Sequence, residues 1–388
     1  MKHRLTLIAV ALAIAPLPGP RPLINANALE DLTVHEWGTF TSIAGEDGRA
    51  VEWMPQDGPQ DLPCFVDRFR FNLKGWMPGT IRMETPVLYF YAQREMTVDV
   101  SVRFRQGVVS EWFPHATVTP SSVGSTSLRS AAFESSISWH DVKVEPGAAT
   151  DFLTEDHPSH YYTARNTDAS PLRSGAETER FLFYRGVGGF DAPLTAVVAG
   201  DGKIVVANPG GEAVGDVMLF ENRGGTMAYE VRHAAASRLT LDPLMLEGES
   251  IAPLTELEHI LTAHGLYRKE ASAMVQTWRD SWFEEGTRLF YIASRKTVDA
   301  ILPLDVTPAP ARVERVFVGR IELVTPATEA AVRDAMAAHD GTALRKYSRF
   351  LDSIVARMLA RSTPAERARA QSLLQPIYAS WRSAGACR

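Results

Sequence analysis

The ten residues Met96–Arg105 (MTVDVSVRFR) carry the clearest structural signal in the chain. Apolar side chains at positions 98, 100, 102 and 104 alternate with polar ones. Successive side chains of a β-strand point to opposite faces of the sheet. This period of two therefore predicts a strand with one buried face and one solvated face.

Further β-rich runs and two hairpins surround this strand. Residues 194–199 and 203–208 flank Gly200-Asp201-Gly202, and residues 217–222 and 226–231 flank Arg223-Gly224-Gly225. Glycine supplies the positive φ that tight hairpin connections need. About ten short strands with no helical pattern between them predict an antiparallel β-sandwich-like domain over residues 29–250.

After Pro253 the apolar spacing changes to that of a helix. Apolar side chains repeat every three or four positions over residues 267–282 and again over 344–359. Two strands are predicted within this part, at 287–293 and 313–324, and the alternative to a separate C-terminal part is that they extend a sheet of the first domain. The predicted fold class is α+β, in which the β-sandwich-like domain is followed by a mainly α-helical C-terminal region, 251–388, with two strands.

Residues 1–28 have the pattern of a secretory signal peptide. A basic start (Lys2, His3, Arg4) precedes an apolar stretch over residues 5–17, and Ala26-Asn27-Ala28 resembles a cleavage site. A membrane-spanning helix needs about 20 apolar residues, so we expect cleavage and no transmembrane anchor in the mature chain. The sequence thus predicts a secreted or periplasmic protein. In such an oxidising compartment Cys64 and Cys387 can form one disulfide, and the alternative is two unpaired thiols.

Composition excludes one class of partner. The 388 residues carry 40 Lys and Arg against 46 Asp and Glu, a formal net charge of −6. Nucleic-acid binding depends largely on neutralising phosphates with basic side chains. Because the chain is acidic and has no long basic run, we expect no nucleic-acid partner.

Residues 35–42 (HEWGTFTS) form a predicted strand with unusually varied chemistry. Alternation places His35 and Trp37 on one face and Glu36 on the other, so His35 and Glu36 cannot easily bind the same ion. His35 is a candidate metal ligand, and the alternative is a packed histidine that binds a neighbouring backbone group. Trp37 is a candidate binding residue.

Two glutamates next to bulky or turn-forming residues are candidate catalytic groups. Glu84 lies in RMETP and Glu111 in SEWFPH. Burial beside aromatic side chains raises the pKa of a carboxyl group into a range useful for proton transfer. A pair of carboxylates can also support glycoside hydrolysis. The alternative is a glutamate bound to a backbone amide or an arginine at a strand end.

The loop at residues 156–168 (DHPSHYYTARNTD) combines two histidines with acidic residues. His160, with His157 nearby and a third ligand from elsewhere, is a candidate metal ligand, which makes a divalent metal a candidate cofactor. Arg165 is a candidate catalytic clamp for an anion, and Asp168 is a candidate binding residue. The alternative is a solvated loop in which Arg165 and Asp168 hold the chain together.

Residues 179–190 contain a Gly-x-Gly pattern after a predicted strand. Another strand follows it rather than a helix, which excludes a dinucleotide site of the Rossmann type. Tyr184 is a candidate binding residue and Arg185 a candidate catalytic residue at a pocket rim. Further on, Trp278 and Trp282 share a helical stripe and are expected in the core, with a sugar-stacking surface as the alternative.

Four strings taken together resemble a family of exported bacterial proteins with an N-terminal HEWGTFTS motif. They are residues 35–48 (HEWGTFTSIAGEDG), 83–86 (METP), 181–188 (FLFYRGVG) and 315–323 (RVFVGRIEL). The resemblance covers most of the mature chain and implies a bacterial origin and a common fold. No established activity accompanies that family, so the resemblance implies no functional residues.

The functional expectation is an exported hydrolase with a polar site on the β domain, acting on a small molecule or glycan, with a metal ion as a candidate assistant. The alternative is a non-catalytic exported carbohydrate- or envelope-binding protein. Fold alone does not imply an enzyme, and an exposed line of tryptophans at positions 37, 53, 76 and 112 with no enclosed polar pocket favours that alternative. A third hypothesis, docking of a partner by the C-terminal helices, requires an exposed apolar stripe over residues 344–359.

Overall fold

The computed structural model describes residues 31–54, 61–69, 78–124, 127–156, 158–233, 238–246, 252–360 and 362–384. The predicted signal peptide lies outside these ranges, as do Trp76, His157 and Cys387. The pairing of Cys64 with Cys387 therefore stays a prediction. Within the described ranges, no helix has both the length and the apolar character that a membrane crossing requires.

The strands and helices are numbered in chain order. The strands are β1 (Leu32–Ile43), β2 (Asp67–Arg68), β3 (Ile81–Ala92), β4 (Met96–Arg105), β5 (Gly107–Phe113), β6 (Thr117–Thr119), β7 (Glu134–Val144), β8 (Leu172–Ser174), β9 (Glu177–Glu179), β10 (Leu182–Gly188), β11 (Thr195–Val198), β12 (Ile204–Ala207), β13 (Asp216–Arg223), β14 (Thr226–His233), β15 (Arg238–Leu241), β16 (Gly286–Ile292), β17 (Leu304–Thr307) and β18 (Arg312–Leu323). The helices are α1 (Ala252–Ala263), α2 (Arg268–Trp282), α3 (Arg295–Ile301), α4 (Pro326–Ala337), α5 (Gly341–Arg345), α6 (Leu351–Met358) and α7 (Pro364–Ala384).

A nine-stranded sheet forms the centre, with the order β14-β13-β16-β18-β1-β3-β10-β5-β2. Strand β1 pairs with β18 in parallel, from Thr33 opposite Arg312 onwards, and with β3 in antiparallel register. A six-stranded sheet contains β17, β4, β7, β8 and β9 in that order with β6 beside β7, and a three-stranded sheet has the order β11-β12-β15. The first and last long strands of the described chain thus meet at the centre of the molecule.

The predicted fold class is wrong. Strands make up 39% of the structure and helices 27%, and the three sheets draw on the whole chain instead of on residues 29–250 alone. The physical reason is long-range pairing: β16 and β18 insert side by side between β13 and β1, so the late strands complete the sheet that the early ones begin. The helices are short and lie between and over these strands, so they do not form a separate helical part.

Packing on the two faces of the nine-stranded sheet differs. One face packs against the other two sheets, and the alternating apolar side chains of β4 (Val98, Val100, Val102 and Phe104) are buried there, as its sequence predicts. The opposite face is covered by α1 and α2, whose side chains pack with Trp37, Tyr89 and Phe290. We call the second one the helix-covered face.

A third apolar cluster joins the C-terminal helices to the end of β1. Leu344, Phe350 and Ile354 pack with Ile43 of β1 and with Trp53. The apolar stripe over residues 344–359 therefore faces inward, with Leu344 and Leu351 fully buried, and is not offered to a partner. The docking hypothesis that depends on its exposure is wrong.

Candidate functional site

A band of buried charged side chains crosses the helix-covered face of the nine-stranded sheet. Its members lie on β16, β18, β3, β10 and β5 and on three segments that pack over the ends of these strands. We call this set the charged band, and it comprises Asp61, Arg82, Glu84, Glu111, Arg185, Glu284, Arg288, Arg320, Glu322 and Arg349.

Irregular strand geometry positions part of this band. The register between β1 and β3 and the register between β10 and β3 both shift where β3 contains Thr85-Pro86. Proline has no N–H for the sheet ladder, and Thr85 has a φ of 47°, which is rare for a β-branched residue. Such bulges turn neighbouring side chains and are frequent next to active sites. Glu84 immediately precedes this bulge.

Glu84 is an ionised carboxylate held from two sides. Its Oε2 accepts a hydrogen bond of 2.8 Å from the Thr41 hydroxyl, and its Oε1 is bound by the Arg349 guanidinium. Burial alone raises the pKa of Glu84, but nearby positive charges outweigh burial and hold the pKa below its ordinary value. These charges belong, in order of strength, to Arg349, Arg320, Arg82 and Arg185.

Glu284 lies in the connection between α2 and β16 and behaves in the opposite way. Its Oε1 accepts a hydrogen bond of 3.0 Å from Arg320 Nη2. Burial is the main influence on the pKa of Glu284 and raises it, and the charges of Arg320 and Arg288 offset this only in part. Within one arginine network, positive charge thus dominates at Glu84 and lowers its pKa, whereas burial dominates at Glu284 and raises its pKa.

Arg185 is fixed against the segment at residues 61–69. Its Nη1 and Nη2 donate hydrogen bonds of 2.8 and 2.7 Å to the two carboxylate oxygens of Asp61. Its guanidinium lies 5.6 Å from the ring centroid of Trp278 on α2, which places it between sheet and helix. Burial opposes ionisation of Asp61, but the charge and hydrogen bonds of Arg185, together with the charges of Arg349 and Arg82, outweigh burial and lower the pKa of Asp61.

The part of the band around Arg288 has its hydrogen bonds satisfied. Arg288 binds both oxygens of Glu322 and donates to the backbone carbonyls of Trp282, Glu284 and Glu285 at 2.7–2.8 Å. These bonds occupy its guanidinium, so this part of the band holds the connection between α2 and β16 in place. Saturated charge pairs of this kind serve mainly to position the backbone.

Four members of the charged band are partly open to solvent. The side chains of Glu284, Glu111, Arg349 and Asp61 keep 12%, 14%, 16% and 32% of their surface exposed. The other six members of the band expose 7% or less. A small molecule that reaches the band from solvent first meets Arg349, Glu284, Glu111 and Asp61, whereas Glu84 exposes 1% of its surface and is bound to Arg349.

Three of the sequence-predicted catalytic residues converge in this band, namely Glu84, Glu111 and Arg185. Arg82 Nη2 lies 3.4 Å from Glu111 Oε1, and Arg185 lies on the strand next to Glu84. Charge on Arg185 and Arg82 acts on Glu84 as described above. The sequence-based candidates therefore include three of the ten residues of the charged band.

His35 lies at the other end of β1. It pairs with Tyr89 of β3, whereas Thr39 pairs with Glu84, and four residues of strand span about 13 Å. His35 Nδ1 lies 2.8 Å from Glu270 Oε2, and this carboxylate also accepts hydrogen bonds from the Tyr91 hydroxyl and the Tyr267 amide. His35 thus supports the first turn of α2.

The other candidates are dispersed as well. Tyr184 donates a 2.6 Å hydrogen bond to Glu36 on the opposite face of the sheet, and Arg165 binds Glu179 at 2.7 Å. His160 and Asp168 lie on the surface, where they pair with Asp280 and Lys269. Trp37 is fully buried among apolar side chains. In the described part of the chain, no group of three or more His, Cys, Asp or Glu side chains is arranged to hold a metal ion.

The tryptophans do not form an exposed line. Trp37, Trp53 and Trp112 expose 0%, 5% and 8% of their surface, and Trp76 lies outside the described residues. Trp278 and Trp282 are also buried, as expected from their helical stripe. These described tryptophans are therefore core residues and do not form a binding surface.

Sequence reasoning missed the arginines and carboxylates contributed late in the chain. Arg320 and Glu322 alternate on β18, where the same string was interpreted only as a strand. Two charges facing one side of the otherwise apolar residues 316–323 are a usable signal, since charged residues are rarely buried without a partner. Glu284 and Arg349 lie outside strands and gave no such pattern.

Comparison with known proteins adds little. No protein-family model matches the chain, and no curated protein matches it. One solved structure that aligns is the yeast delta-COP-I mu-homology domain complexed with a Dsl1 WxWxV peptide. It is 7% identical, and the alignment covers 76% of this chain and 96% of that chain with a TM-score of 0.26. At that TM-score the likeness supports no conclusion about this chain.

Proposed function

We propose that the mature chain is an exported hydrolase whose acid–base pair is Glu284 and Glu84. One observation carries the proposal: two carboxyl groups of one buried arginine network have pKa values shifted in opposite directions. Environments that separate the pKa values of two neighbouring carboxyl groups are the usual way to assign an acid and a base.

The roles follow from the protonation states. Hydrolysis needs a group that gives a proton to the leaving oxygen and a second group that takes one from water. Glu284 retains its proton more readily than an ordinary glutamate and supplies the first, while the ionised Glu84 accepts the second. The water oxygen forms the new bond as the bond to the leaving oxygen breaks, so both protons are accounted for. In glycoside hydrolysis two carboxyl groups perform this same division of labour.

The band also supplies the fixed charge that a hydrolytic transition state requires. The Thr41 hydroxyl and the Arg349 guanidinium hold the Glu84 carboxylate in one orientation. The guanidinium of Arg185 is itself fixed by Asp61 and stabilises negative charge that develops beside Glu84. Pre-oriented charge of this kind is usually the largest single contribution to catalysis.

The location of the protein is part of the proposal and rests on residues 1–28. Their basic start, short apolar stretch and small-residue cleavage pattern support export and removal before the protein acts. The proposed substrate is correspondingly a small molecule or glycan of the periplasm or the cell exterior.

The test uses the mature chain from Leu29 and a panel of chromogenic glycosides, esters and phosphate esters. We expect turnover of at least one class, and a loss of about 100-fold or more in kcat for both Glu284→Gln and Glu84→Gln, since general acid or base catalysis contributes about that much. Glu145→Gln is the matched control because Glu145 also binds an arginine, Arg173, but lies outside the band. Absence of turnover across the panel, or turnover unchanged in both variants, contradicts the hydrolase.

A further inference from the structure

Arg82 is the least satisfied arginine of the charged band. Its Nη2 approaches Glu111 at 3.4 Å, and its Nε and Nη1 have no hydrogen-bond partner among the described residues. The side chain nevertheless exposes only 6% of its surface. Arg185 and Arg288, by comparison, each use several donors.

An unsatisfied hydroxyl lies on the same face of the sheet, two residues along β1 from the partner of Arg82. Thr39 Oγ1 is buried without a partner in the described part of the chain, and Thr39 is fully buried. On β1, Thr39 pairs with Glu84 and Thr41 pairs with Arg82, so all four side chains share one face and occupy neighbouring positions. Each unsatisfied buried donor costs about 1–3 kcal/mol, more when it is charged, so an arrangement of this kind is expensive unless a ligand completes it.

The charge balance of the band also favours a bound anion. The band holds five arginines (Arg82, Arg185, Arg288, Arg320 and Arg349) and five carboxyl groups (Asp61, Glu84, Glu111, Glu284 and Glu322). Burial raises the pKa of Glu284, and protonation of this carboxyl group shifts the balance of the band towards positive charge. A buried positive charge in excess is stabilised by an anion.

We infer that Arg82 and Thr39 form an oxyanion subsite of the charged band, which binds a carboxylate or phosphate group of the ligand. Describing that ligand as the substrate depends on the proposed hydrolase, whereas the subsite itself does not. The two free nitrogens of Arg82 donate to the oxyanion, and the Thr39 hydroxyl donates a further hydrogen bond. The expected ligands are thus acidic sugars or phosphate esters, and a neutral sugar binds more weakly.

The experiment observes Arg82 directly. In the mature chain labelled with ¹⁵N-arginine, the Arg82 Nε–H signal is assigned from its loss in Arg82→Lys, and acetate and inorganic phosphate are titrated against chloride at equal ionic strength. We expect the Arg82 signal to shift and saturate with one or both oxyanions. Arg165 is the internal control, because its Nε already donates to Glu179 and its signal is expected to stay in place.

Two variants extend the test to affinity. Charge-assisted hydrogen bonds contribute about 1.5–3 kcal/mol, so Arg82→Gln is expected to weaken oxyanion binding about 10- to 100-fold, while Arg173→Gln leaves it unchanged. Saturation with acetate alone assigns a carboxylate ligand, and saturation with phosphate alone assigns a phosphate ester. An Arg82 signal that responds to neither oxyanion more than to chloride overturns the inference, whatever the folding of Arg82→Gln. Binding without turnover keeps the subsite and contradicts only the hydrolase.

Discussion

Two buried arginine–glutamate sites in this protein are built differently. In the first, which we call the Glu179 cluster, Glu179 accepts hydrogen bonds from Arg165, from the Tyr161 hydroxyl and from the Arg180 amide. These partners lie within 20 residues of one another in the chain, and both carboxylate oxygens are used. The charged band instead collects side chains from Asp61 to Arg349, and within the described part of the chain donors of Arg82 and Thr39 have no partner.

The difference separates a structural role from a site prepared for a ligand. A saturated buried pair stabilises the fold only as long as both partners remain. A buried group that lacks a partner reduces stability, and natural proteins retain such groups mainly where activity requires them. In the sequence the two sites look alike, since each offers an arginine near glutamates, and only the bonding in the folded structure distinguishes them.

The largest expected effect compares matched substitutions of one arginine at each site. Arg165→Met leaves Glu179 buried at 0% exposure with an uncompensated charge, so we expect the free energy of unfolding to fall by about 3–5 kcal/mol. Arg82→Met removes a guanidinium that makes one long contact, 3.4 Å to Glu111, so we expect the smaller loss, about 1 kcal/mol. Urea denaturation of both variants measures the difference. Equal losses of unfolding free energy in the two variants would contradict the proposed difference between the Glu179 cluster and the charged band.

A smaller effect concerns acid stability. The folded-state pKa of Glu84 is lowered, so its stabilising contribution is complete above the unfolded-state value of about 4.5 and is lost as the pH falls through the folded-state pKa. When the unfolded chain binds one proton more than the folded chain, the free energy of unfolding falls by about 1.4 kcal/mol for each unit by which the pH is lowered. We therefore expect the stability of the parent protein to fall more steeply below pH 4.5 than that of Glu84→Gln. Parallel curves of unfolding free energy against pH contradict this assignment.

The smallest expected effect is that of Glu284→Gln. The pKa of Glu284 is raised in the folded state, so its contribution is complete below pH 4.5 and is lost as the pH rises through the folded-state value. Glutamine imitates the protonated carboxyl group, and we expect the variant to differ from the parent by less than about 1 kcal/mol near neutral pH, with a flatter dependence on pH. Thermal unfolding across the neutral range measures this. A large loss of stability indicates that Glu284 is ionised and structural.

Local patterns in the sequence were sufficient for single strands and for some faces. The alternation at 96–105 identified β4, glycine turns identified the β11–β12 and β13–β14 hairpins, and the period of two separated His35 from Glu36. These features depend on residues close together in the chain. The parallel pairing of β1 with β18 depends on register across more than 270 residues, which no local spacing reports.

The candidate site was also predictable only in part, because sequence patterns report on residues that are close together in the chain. Glu84, Glu111 and Arg185 drew attention through their own neighbours in the chain. The partners that set their chemistry, Arg320 and Arg349, are brought to them by long-range packing. The opposite pKa shifts of Glu84 and Glu284 arise from burial and from arginines far away in sequence, so residue types alone do not predict them.

The parallel pairing of β1 with β18 also constrains when the central sheet can form during synthesis of the chain. During synthesis β1 can pair early with β3, but its other edge has no partner until residues 312–323 have left the ribosome. An unpaired strand edge readily pairs with other chains, and non-local pairing slows folding. The chain must therefore be nearly finished before its central sheet can close, and a protein truncated before β18 exposes the edge of β1, which is buried at the centre of the complete fold.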